Sequence, residues 1–223
     1  MHYLGLLLAL GCSVMALDFA GAGLSDGSVV TLGYREGDDV VAAIEYLRGD
    51  ARVSQIAGWG SSAGAAALLF CMACGHQTSL ACCVLDGPYA DVRQVAAELA
   101  ERSTVGGYSA PWPVAQAVLA LLDSSVQERA GVTLNDLRPV AHAPRCRAPA
   151  LFLHATGDAL LGAQHTEALA RAYGGPRVLA DVEGTHSSPR NQRALDYCGA
   201  FLRERLQLDA APATGRVDRV PWE

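Results

Sequence analysis

The stretch VSQIAGWGSSAGAAALLF, residues 53–70, runs from a short apolar segment through closely spaced glycines into a series of alanines and leucines. Its first part has the length and apolar character of a buried strand, and its second part has the pattern of a helix. The glycines at the junction leave two interpretations, a flexible linker or a sharp turn that presents a serine. Because a strand pattern ends at the junction and a helix pattern begins from it, the stretch favours the sharp turn.

Strand-length apolar runs recur along the chain and alternate with helical patterns. The runs predicted as strands are SVMALDF (13–19), VSQIAGW (53–59), LACCVLD (80–86), PALFLHA (149–155) and PRVLADV (176–182). The segments predicted as helices are 34–48, 62–74, 90–102, about 114–130, 163–173 and 189–206. Runs that are apolar at successive positions fit strands buried on both faces of a parallel sheet. The alternation predicts a three-layer α/β fold with a mostly parallel sheet, in one domain of residues 1–206.

The composition is that of a globular domain with a sizeable core. Of the 223 residues, 51% are hydrophobic and 18% are charged, and the formal net charge is −6. No basic stripe stands out, so nucleic acid is a poor candidate partner. No apolar stretch reaches the ~18–20 residues of a membrane-spanning helix, so we expect no transmembrane segment.

The cysteines indicate buried thiols rather than a redox or metal site. There are seven, an odd number, and most lie inside apolar runs. Small buried residues in a reducing compartment explain them best, which predicts a cytoplasmic location. Cys71 and Cys74 form a C-x-x-C, but within a helical pattern and without a second pair at the spacing of a zinc site. We therefore expect no metal and no cofactor.

The glycine-rich junction matches the motif G-x-S-x-G, from Gly60 to Gly64. In this motif a serine sits on a strained strand-to-helix turn, and the residues two positions away must be small. Gly60 and Gly64 are expected to provide that clearance. Ser62 is therefore the candidate nucleophile, and the backbone N–H of Ala63 is the candidate oxyanion donor. A chance match in a chain rich in Gly, Ala and Ser is the competing explanation, against which the strand–turn–helix context argues.

A nucleophilic serine needs a base, and one histidine has a suitable position. His186 follows the last predicted strand and precedes the last helix, so its loop lies at the carboxyl edge of the sheet and can reach Ser62. The remaining histidines lie before the fold, inside predicted helices or strands, in an insertion, or at the far end of the helix after Ser62. They are His2, His76, His142, His154 and His165. We therefore predict that His186 is the base.

Two aspartates compete to orient that histidine. Asp158 lies in the loop after the penultimate strand, before His186 in the chain and at the same edge of the sheet. Asp86 ends the preceding strand, and some hydrolases take their acid from that place. We favour Asp158, and expect Asp86 to fix a turn or to cap the helix that begins near Ala90.

Residues 103–148 interrupt the alternation of strands and helices. We expect this insertion to form a small cap over the site, with Tyr108 and Trp112 lining an acyl pocket. The competing explanation is that these aromatic residues simply pack the cap. Beyond residue 206 the periodicity is lost, which predicts a loosely ordered tail, 207–223.

Taken in order, these segments resemble the α/β-hydrolase superfamily, and within it the serine aminopeptidase-like esterase branch that includes protein depalmitoylases. The matching motifs are LDFAGAGLSDG (17–27), GYREGDDVVAAIEYLR (33–48), GWGSSAG (58–64), VLDGPYAD (84–91), PALFLHATGD (149–158) and EGTHSSPR (183–190). The resemblance implies a serine hydrolase that cleaves a carboxylic ester, thioester or small amide, with a small-molecule or acyl substrate. It also implies an acyl-enzyme on Ser62, with Asp158 holding the His186 ring.

One feature departs from that family. Its members carry a His-Gly motif after an earlier strand, where a backbone N–H supplies the second oxyanion donor. This chain contains no His-Gly dipeptide, and its apolar start lacks the features of a signal peptide. In the family's sheet a further strand separates the equivalents of 13–19 and 53–59. We therefore expect either that these two strands pair directly or, as we favour, that the natural chain begins upstream. The alternative function is a catalytically impaired or non-catalytic hydrolase-fold protein that acts by binding.

Overall fold

The computed structural model describes residues 3–75, 80–102, 104–105, 108–109 and 112–208, and gives the backbone alone for 104–105, 108–109 and 112–115. The helices are α1 (Leu4–Ala9), α2 (Glu36–Arg48), α3 (Ala63–Ala73), α4 (Val92–Arg102), α5 (Trp112–Ala130), α6 (Pro139–His142), α7 (Ala163–Ala172) and α8 (Gln192–Arg205). The strands are β1 (Ala57–Ser61), β2 (Cys82–Asp86), β3 (Thr104–Val105), β4 (Tyr108–Ser109), β5 (Ala150–Ala155) and β6 (Arg177–Val182). None of the described helices is long and apolar enough to cross a lipid bilayer.

A four-stranded sheet in the order β1–β2–β5–β6 forms the centre of the molecule. All its neighbouring strands are parallel, with Gly60 opposite Leu85, Leu85 opposite Phe152, and Phe152 opposite Leu179. The carboxyl ends of parallel strands lie at one edge, so the loops that follow β1, β2, β5 and β6 meet there. This edge carries the residues that the sequence singles out for chemistry.

Alternate side chains of β2 and β5 enter two separate cores. Leu85 and Phe152 face the layer of α2, α3 and α7, whereas Val84 and Leu151 face the layer of α1 and α8. Both strands are buried over their whole length, which is why they read as uninterrupted apolar runs. The three-layer α/β fold predicted from the sequence is confirmed.

Helix α3 is apolar on every side because it lies between the sheet and α2. Its residues from Ala65 to Ala73 are all buried. The small residues near its start allow a close approach to β1, and the leucines and the phenylalanine that follow fill the core. The helix therefore holds its first residue, Ala63, in a fixed position beside the end of β1.

The predicted insertion, 103–148, contains β3, β4, α5 and α6. It is tied back to the loop after β2 by the N–H of Val140, which donates to Ala90 O at 3.1 Å. A further link runs from Arg93 on α4 to Asp123 on α5, at 3.1 Å. The covering of the site by this insertion stays a prediction. His76, the tail beyond residue 208, and the side chains of Tyr108 and Trp112 lie outside the described residues.

The strand predicted for SVMALDF (13–19) is wrong, as is its direct pairing with β1. The segment has no regular secondary structure, and β1 lies at the edge of the described sheet. A strand needs a neighbour for its backbone hydrogen bonds, and an apolar pattern alone does not supply one. The residue that follows the segment binds a side chain instead: Ala20 N–H donates to Asp39 Oδ2 on α2, at 2.8 Å. The exposed apolar side chains of residues 13–19 are Val14, Met15 and Leu17.

All seven cysteines are free thiols, and most of them are buried. Burial raises the pKa of the Cys71, Cys146 and Cys198 thiols to about 12. Cys74, which follows the end of α3, is exposed. The C-x-x-C motif thus joins one buried thiol with one accessible thiol at the end of a helix.

We predict that a thiol-specific disulfide reagent at about pH 8 reacts rapidly with Cys74 and slowly with the buried thiols, whose raised pKa leaves little thiolate at that pH. Absorbance of the released thiolate measures the two phases, and all the thiols should react quickly in denaturant. Cys74→Ser should lower the amplitude of the rapid phase by one thiol, to what the partly exposed Cys12 contributes. A rapid phase of unchanged amplitude in that variant would contradict the described burial.

Candidate active site

Ser62 occupies the turn between β1 and α3 in a strained backbone conformation. Its φ is 52° and its ψ is −116°, a region that costs a residue with a side chain about 1–3 kcal/mol. Its N–H donates to Asp86 O at 2.8 Å, and its carbonyl accepts from Ala65 and Ala66 as α3 begins. These bonds hold the strained turn, which is of the kind predicted from G-x-S-x-G.

The two glycines that flank this turn have different roles. A Cβ on Gly60 would lie 2.3 Å from Gly64 O and 2.5 Å from Ala65 N, so strand and helix are in direct backbone contact there. A Cβ on Gly64 would meet nothing within 4 Å. The sequence-based expectation that both glycines provide clearance is right for Gly60 and wrong for Gly64.

The side chains of Ser62, His186 and Asp158 form a continuous chain of contacts. Ser62 Oγ lies 3.0 Å from His186 Nε2, and His186 Nδ1 lies 2.7 Å from Asp158 Oδ2. The Asp158 side chain is 1% exposed and that of His186 is 17% exposed. With the Nδ1 proton directed at the carboxylate, Nε2 is left to accept the serine proton.

The loop after β5 fixes the orientation of the Asp158 carboxylate. Its Oδ1 accepts from the N–H groups of Leu160 and Leu161, at 2.9 and 2.8 Å, which leaves Oδ2 for the imidazole. The parallel pairing of β5 and β6 also continues beyond both strands, because Gly157 N–H donates to Gly184 O at 2.8 Å. The loops that carry Asp158 and His186 are therefore joined to each other.

Asp86, the competing acid, is bound to a different partner. Its carboxylate accepts from Arg190 Nε at 2.9 Å and from Arg190 Nη2 at 2.8 Å, and the Tyr3 hydroxyl donates to Oδ2 at 3.2 Å. Burial and the neighbouring Asp86 raise the pKa of Tyr3 to about 12. Burial disfavours the charge on Arg190, but the hydrogen bonds to Asp86 and the attraction of the neighbouring negative charge together outweigh burial and raise the pKa of Arg190.

The expected turn or capping role of the Asp86 side chain is wrong. Helix α4 begins at Val92, and Asp91 provides the capping hydrogen bond: its Oδ1 accepts from Arg93 N–H at 2.8 Å. The buried Asp86 carboxylate is bound by a guanidinium instead.

The other predicted site residues lie at the start of α3 and in the insertion. Ala63 is the first residue of α3, and the first N–H groups of a helix have no acceptor within it. Tyr108 lies in β4 and Trp112 begins α5. Their side chains are not described, so the acyl-pocket role stays a prediction. Among the described residues, no three His, Cys, Asp or Glu side chains come together as a metal ion would require.

Three other histidines among the described residues, His142, His154 and His165, lie in different environments. His154 is buried in β5. His165 is buried in α7, with Nε2 3.2 Å from Glu98 Oε2, and the His142 ring packs edge-on against Phe70 at 5.0 Å.

Comparison with protein-family models gives no match. Among curated proteins, the chain is similar to the uncharacterized protein YqkD of Bacillus subtilis (strain 168), with 26% identity over 199 residues. The aligned region is 88% of this chain and 63% of YqkD, so the chain spans less than two thirds of the length of this relative.

Solved structures of esterases are similar to this chain over most of its length. The esterase Pf2001 of Pyrococcus furiosus has a TM-score of 0.67 at 19% identity, covering 92% of this chain and 74% of its own. Est1E of Butyrivibrio proteoclasticus, solved with ferulic acid, has a TM-score of 0.65 at 16% identity, covering 92% and 82%. Acetyl xylan esterase 1 of Thermoanaerobacterium sp. JW/SL YS485 has a TM-score of 0.64 at 16% identity, covering 89% and 68%. The chain has the α/β-hydrolase fold.

Sequence reasoning missed Arg190, which lies within this α/β-hydrolase fold at the edge that carries Ser62. Two signals could have indicated it. Asp86 ends a strand that is otherwise apolar, and a buried carboxylate needs a partner. Arg190 lies two residues before the start of α8, where a positive charge is unfavourable to the helix dipole unless another group compensates it.

We predict opposite effects on stability for alanine at the two glycines of the turn. Gly60→Ala should lower the free energy of unfolding by about 1–3 kcal/mol or more, because its methyl group has no space. Gly64→Ala should raise it by up to about 1 kcal/mol, since it adds no clash and replaces glycine in a helix. Urea denaturation measures both values. Equal stability of the two variants would contradict the close contact of β1 and α3.

Proposed function

We propose that this protein is a serine hydrolase that cleaves a carboxylic ester, thioester or small amide through an acyl-enzyme on Ser62. The observation that carries the proposal is the contact chain from Ser62 Oγ to His186 Nε2, at 3.0 Å, and from His186 Nδ1 to Asp158 Oδ2, at 2.7 Å. A serine, a histidine and a carboxylate in this arrangement have the geometry of a nucleophile, its base and the group that orients the base.

Acylation follows from the proton positions. Ser62 Oγ attacks the carbonyl carbon of the substrate while its proton passes to His186 Nε2. Asp158 stabilises the imidazolium that results, because its Oδ2 accepts the Nδ1 proton at 2.7 Å. The protonated Nε2 then gives its proton to the leaving alcohol, thiol or amine as the bond to the carbonyl carbon breaks.

The negative charge that develops on the carbonyl oxygen needs donors that are already in place. Ala63 N–H at the start of α3 is the proposed donor, and the positive end of the helix dipole lies on the same side. Loss of one oxyanion donor typically costs about 10²–10³-fold in rate. Because the sequence has no His-Gly motif for a second donor, we retain the alternative, a hydrolase-fold protein that binds without turnover.

Deacylation uses the same groups in the reverse direction. His186 Nε2 takes a proton from water, which attacks the acyl carbonyl, and the proton returns to Ser62 Oγ as the acid leaves. These steps require no cofactor. The esterase names of Pf2001 and acetyl xylan esterase 1, and the ferulic acid bound to Est1E, support small esters as the first substrates to test. The depalmitoylase-like branch and the cytoplasmic location stay predictions.

We predict that a fluorophosphonate probe labels the protein covalently at Ser62, because the probe phosphonylates a serine activated by a neighbouring base. Mass spectrometry of the labelled protein identifies the modified residue. Ser62→Ala should abolish labelling, and Ser61→Ala, the matched control on the adjacent residue, should retain it. Labelling that persists in Ser62→Ala would overturn the assignment of the nucleophile.

Turnover of p-nitrophenyl acetate by the same preparations separates the enzyme from the alternative. Steady release of nitrophenol that is lost in Ser62→Ala supports the hydrolase. Specific labelling of Ser62 without steady release supports the binding protein, in which the serine reacts but the acyl-enzyme is not hydrolysed.

We predict that Asp158→Asn lowers kcat by about 10⁴-fold, because an amide favours the wrong tautomer of His186. Asp181→Asn, an exposed substitution on β6, serves as the control and should leave kcat unchanged. Nitrophenyl ester hydrolysis measures both. A wild-type kcat in Asp158→Asn would remove Asp158 from the proposed site.

A further inference from the structure

We infer that the buried ion pair between Asp86 and Arg190 positions His186 against Ser62, so that both charged residues are positioning residues for the hydrolysis. This inference rests on the proposed function, since it concerns the alignment of the proposed base with the proposed nucleophile. Neither side chain is a catalytic residue, because neither contacts the Ser62 hydroxyl in the arrangement described.

Asp86 is connected to the nucleophile by its main chain. It ends β2 opposite Ser61 of β1, and its carbonyl accepts the Ser62 N–H at 2.8 Å. The strained turn that carries the serine is thus attached to the end of β2. A loop that also binds Asp86 is therefore held in a fixed position relative to Ser62.

Arg190 connects the same residue to the loop of the base. Two of its nitrogens bind the Asp86 carboxylate, and the third, Nη1, donates to Thr185 O at 2.9 Å. Thr185 directly precedes His186. Inside the loop, Thr185 N–H donates to Ser188 Oγ at 2.7 Å, so the turn around the histidine is closed.

The imidazole lies beside the residue that follows β2. Gly87, which follows Asp86, has a φ of 57°, and a Cβ there would lie 3.7 Å from Cε1 and Nδ1 of His186. The space between the ring and Gly87 would thus accept a methyl group, and the orientation of the ring depends on Asp158, which holds its Nδ1. A shift of the loop relative to β2 would move Nε2 away from the serine, and a misplacement of about 1 Å can cost about 10²-fold in rate.

Stability alone is a weak explanation for this pair. The Arg190 side chain is 2% exposed and that of Asp86 is 0% exposed. Desolvation of two charges typically offsets their attraction, and apolar residues of similar size are often as stabilising. An apolar pair has no donor for Thr185 O, however. The planar guanidinium binds a carboxylate and a carbonyl in fixed directions, which is what alignment of the loop requires.

The test compares variants with and without a buried unpaired charge. Arg190→Gln leaves the Asp86 carboxylate buried without its cation, so part of any loss will reflect instability. The double variant Asp86→Asn/Arg190→Gln removes both charges and should melt within about 3 °C of the wild type. We expect the double variant to lower kcat for p-nitrophenyl acetate by about 10- to 100-fold with KM changed by less than about twofold.

A conservative substitution and a control at a second ion pair complete the set of variants. Arg190→Lys keeps the charge but cannot bind Asp86 and Thr185 O in the same geometry, so it should restore stability and only part of kcat. The matched control is Asp91→Asn/Arg138→Gln. It removes a more exposed ion pair, in which Arg138 Nε and Asp91 Oδ2 lie 2.7 Å apart. It should leave kcat and KM unchanged.

An activity-independent measurement separates this inference from the proposed function. The proton on His186 Nδ1, held by Asp158, should give a downfield proton NMR resonance that Asp158→Asn removes. We expect this resonance to broaden or disappear in the double variant while the melting temperature is kept. Failure of the fluorophosphonate probe to label the wild type would overturn the proposed function, whereas the resonance still tests the alignment of the ring.

Two results would overturn the inference. The first is a double variant with wild-type kcat and an intact resonance. The second is a series in which kcat follows the melting temperature in every variant, with Arg190→Lys fully active, because the pair would then have a structural role only. If the double variant does not fold, Arg190→Lys decides: reduced kcat with an altered resonance supports the inference, and wild-type values overturn it.

Discussion

Strand β1 and helix α3 meet so closely that a methyl group on Gly60 would lie 2.3 Å from the carbonyl oxygen of Gly64. This contact forces the chain to reverse within a few residues, and the reversal puts Ser62 into a conformation that residues with side chains seldom adopt. The strain persists because both neighbouring elements are fixed. On one side lies the parallel sheet, and on the other a helix that is buried on all sides. The position of the serine is thus a result of packing throughout the core.

The two aspartates at this edge of the sheet show how the same side chain acquires different roles. Asp158 accepts two backbone N–H groups on one oxygen, which leaves the other oxygen for the imidazole. Asp86 is bound on both oxygens by the Arg190 guanidinium, so neither oxygen is left to bind the His186 ring as Asp158 Oδ2 does. The group that binds each carboxylate therefore decides whether one of its oxygens can accept the His186 proton. Neither partner is close to its aspartate in the sequence.

That difference explains how far the sequence could predict the molecule. The strands β2 and β5 follow from their own residues, because a run that is apolar on both faces is buried wherever it is placed. The same pattern in 13–19 gave a wrong strand, since a strand also depends on a neighbour that local sequence does not specify. The residues Ser62, Asp158 and His186 could be proposed because chain order and the carboxyl edge of a parallel sheet restrict the choice. Arg190 could not be matched with Asp86, because the two are 104 residues apart and only the fold brings them together.

The hydrogen bond from Gly157 N–H to Gly184 O extends the β5–β6 pairing beyond the strands, up to the loops of the acid and the base. The relative position of Asp158 and His186 therefore follows from the register of the sheet, and α7 connects the two strands along one face of it. A change in the length of the loops that flank α7 would leave this pairing, and with it the distance between the two side chains, in place. A single residue inserted between Val182 and His186 would alter that distance, because it would shift the imidazole relative to the loop after β5 that carries Asp158.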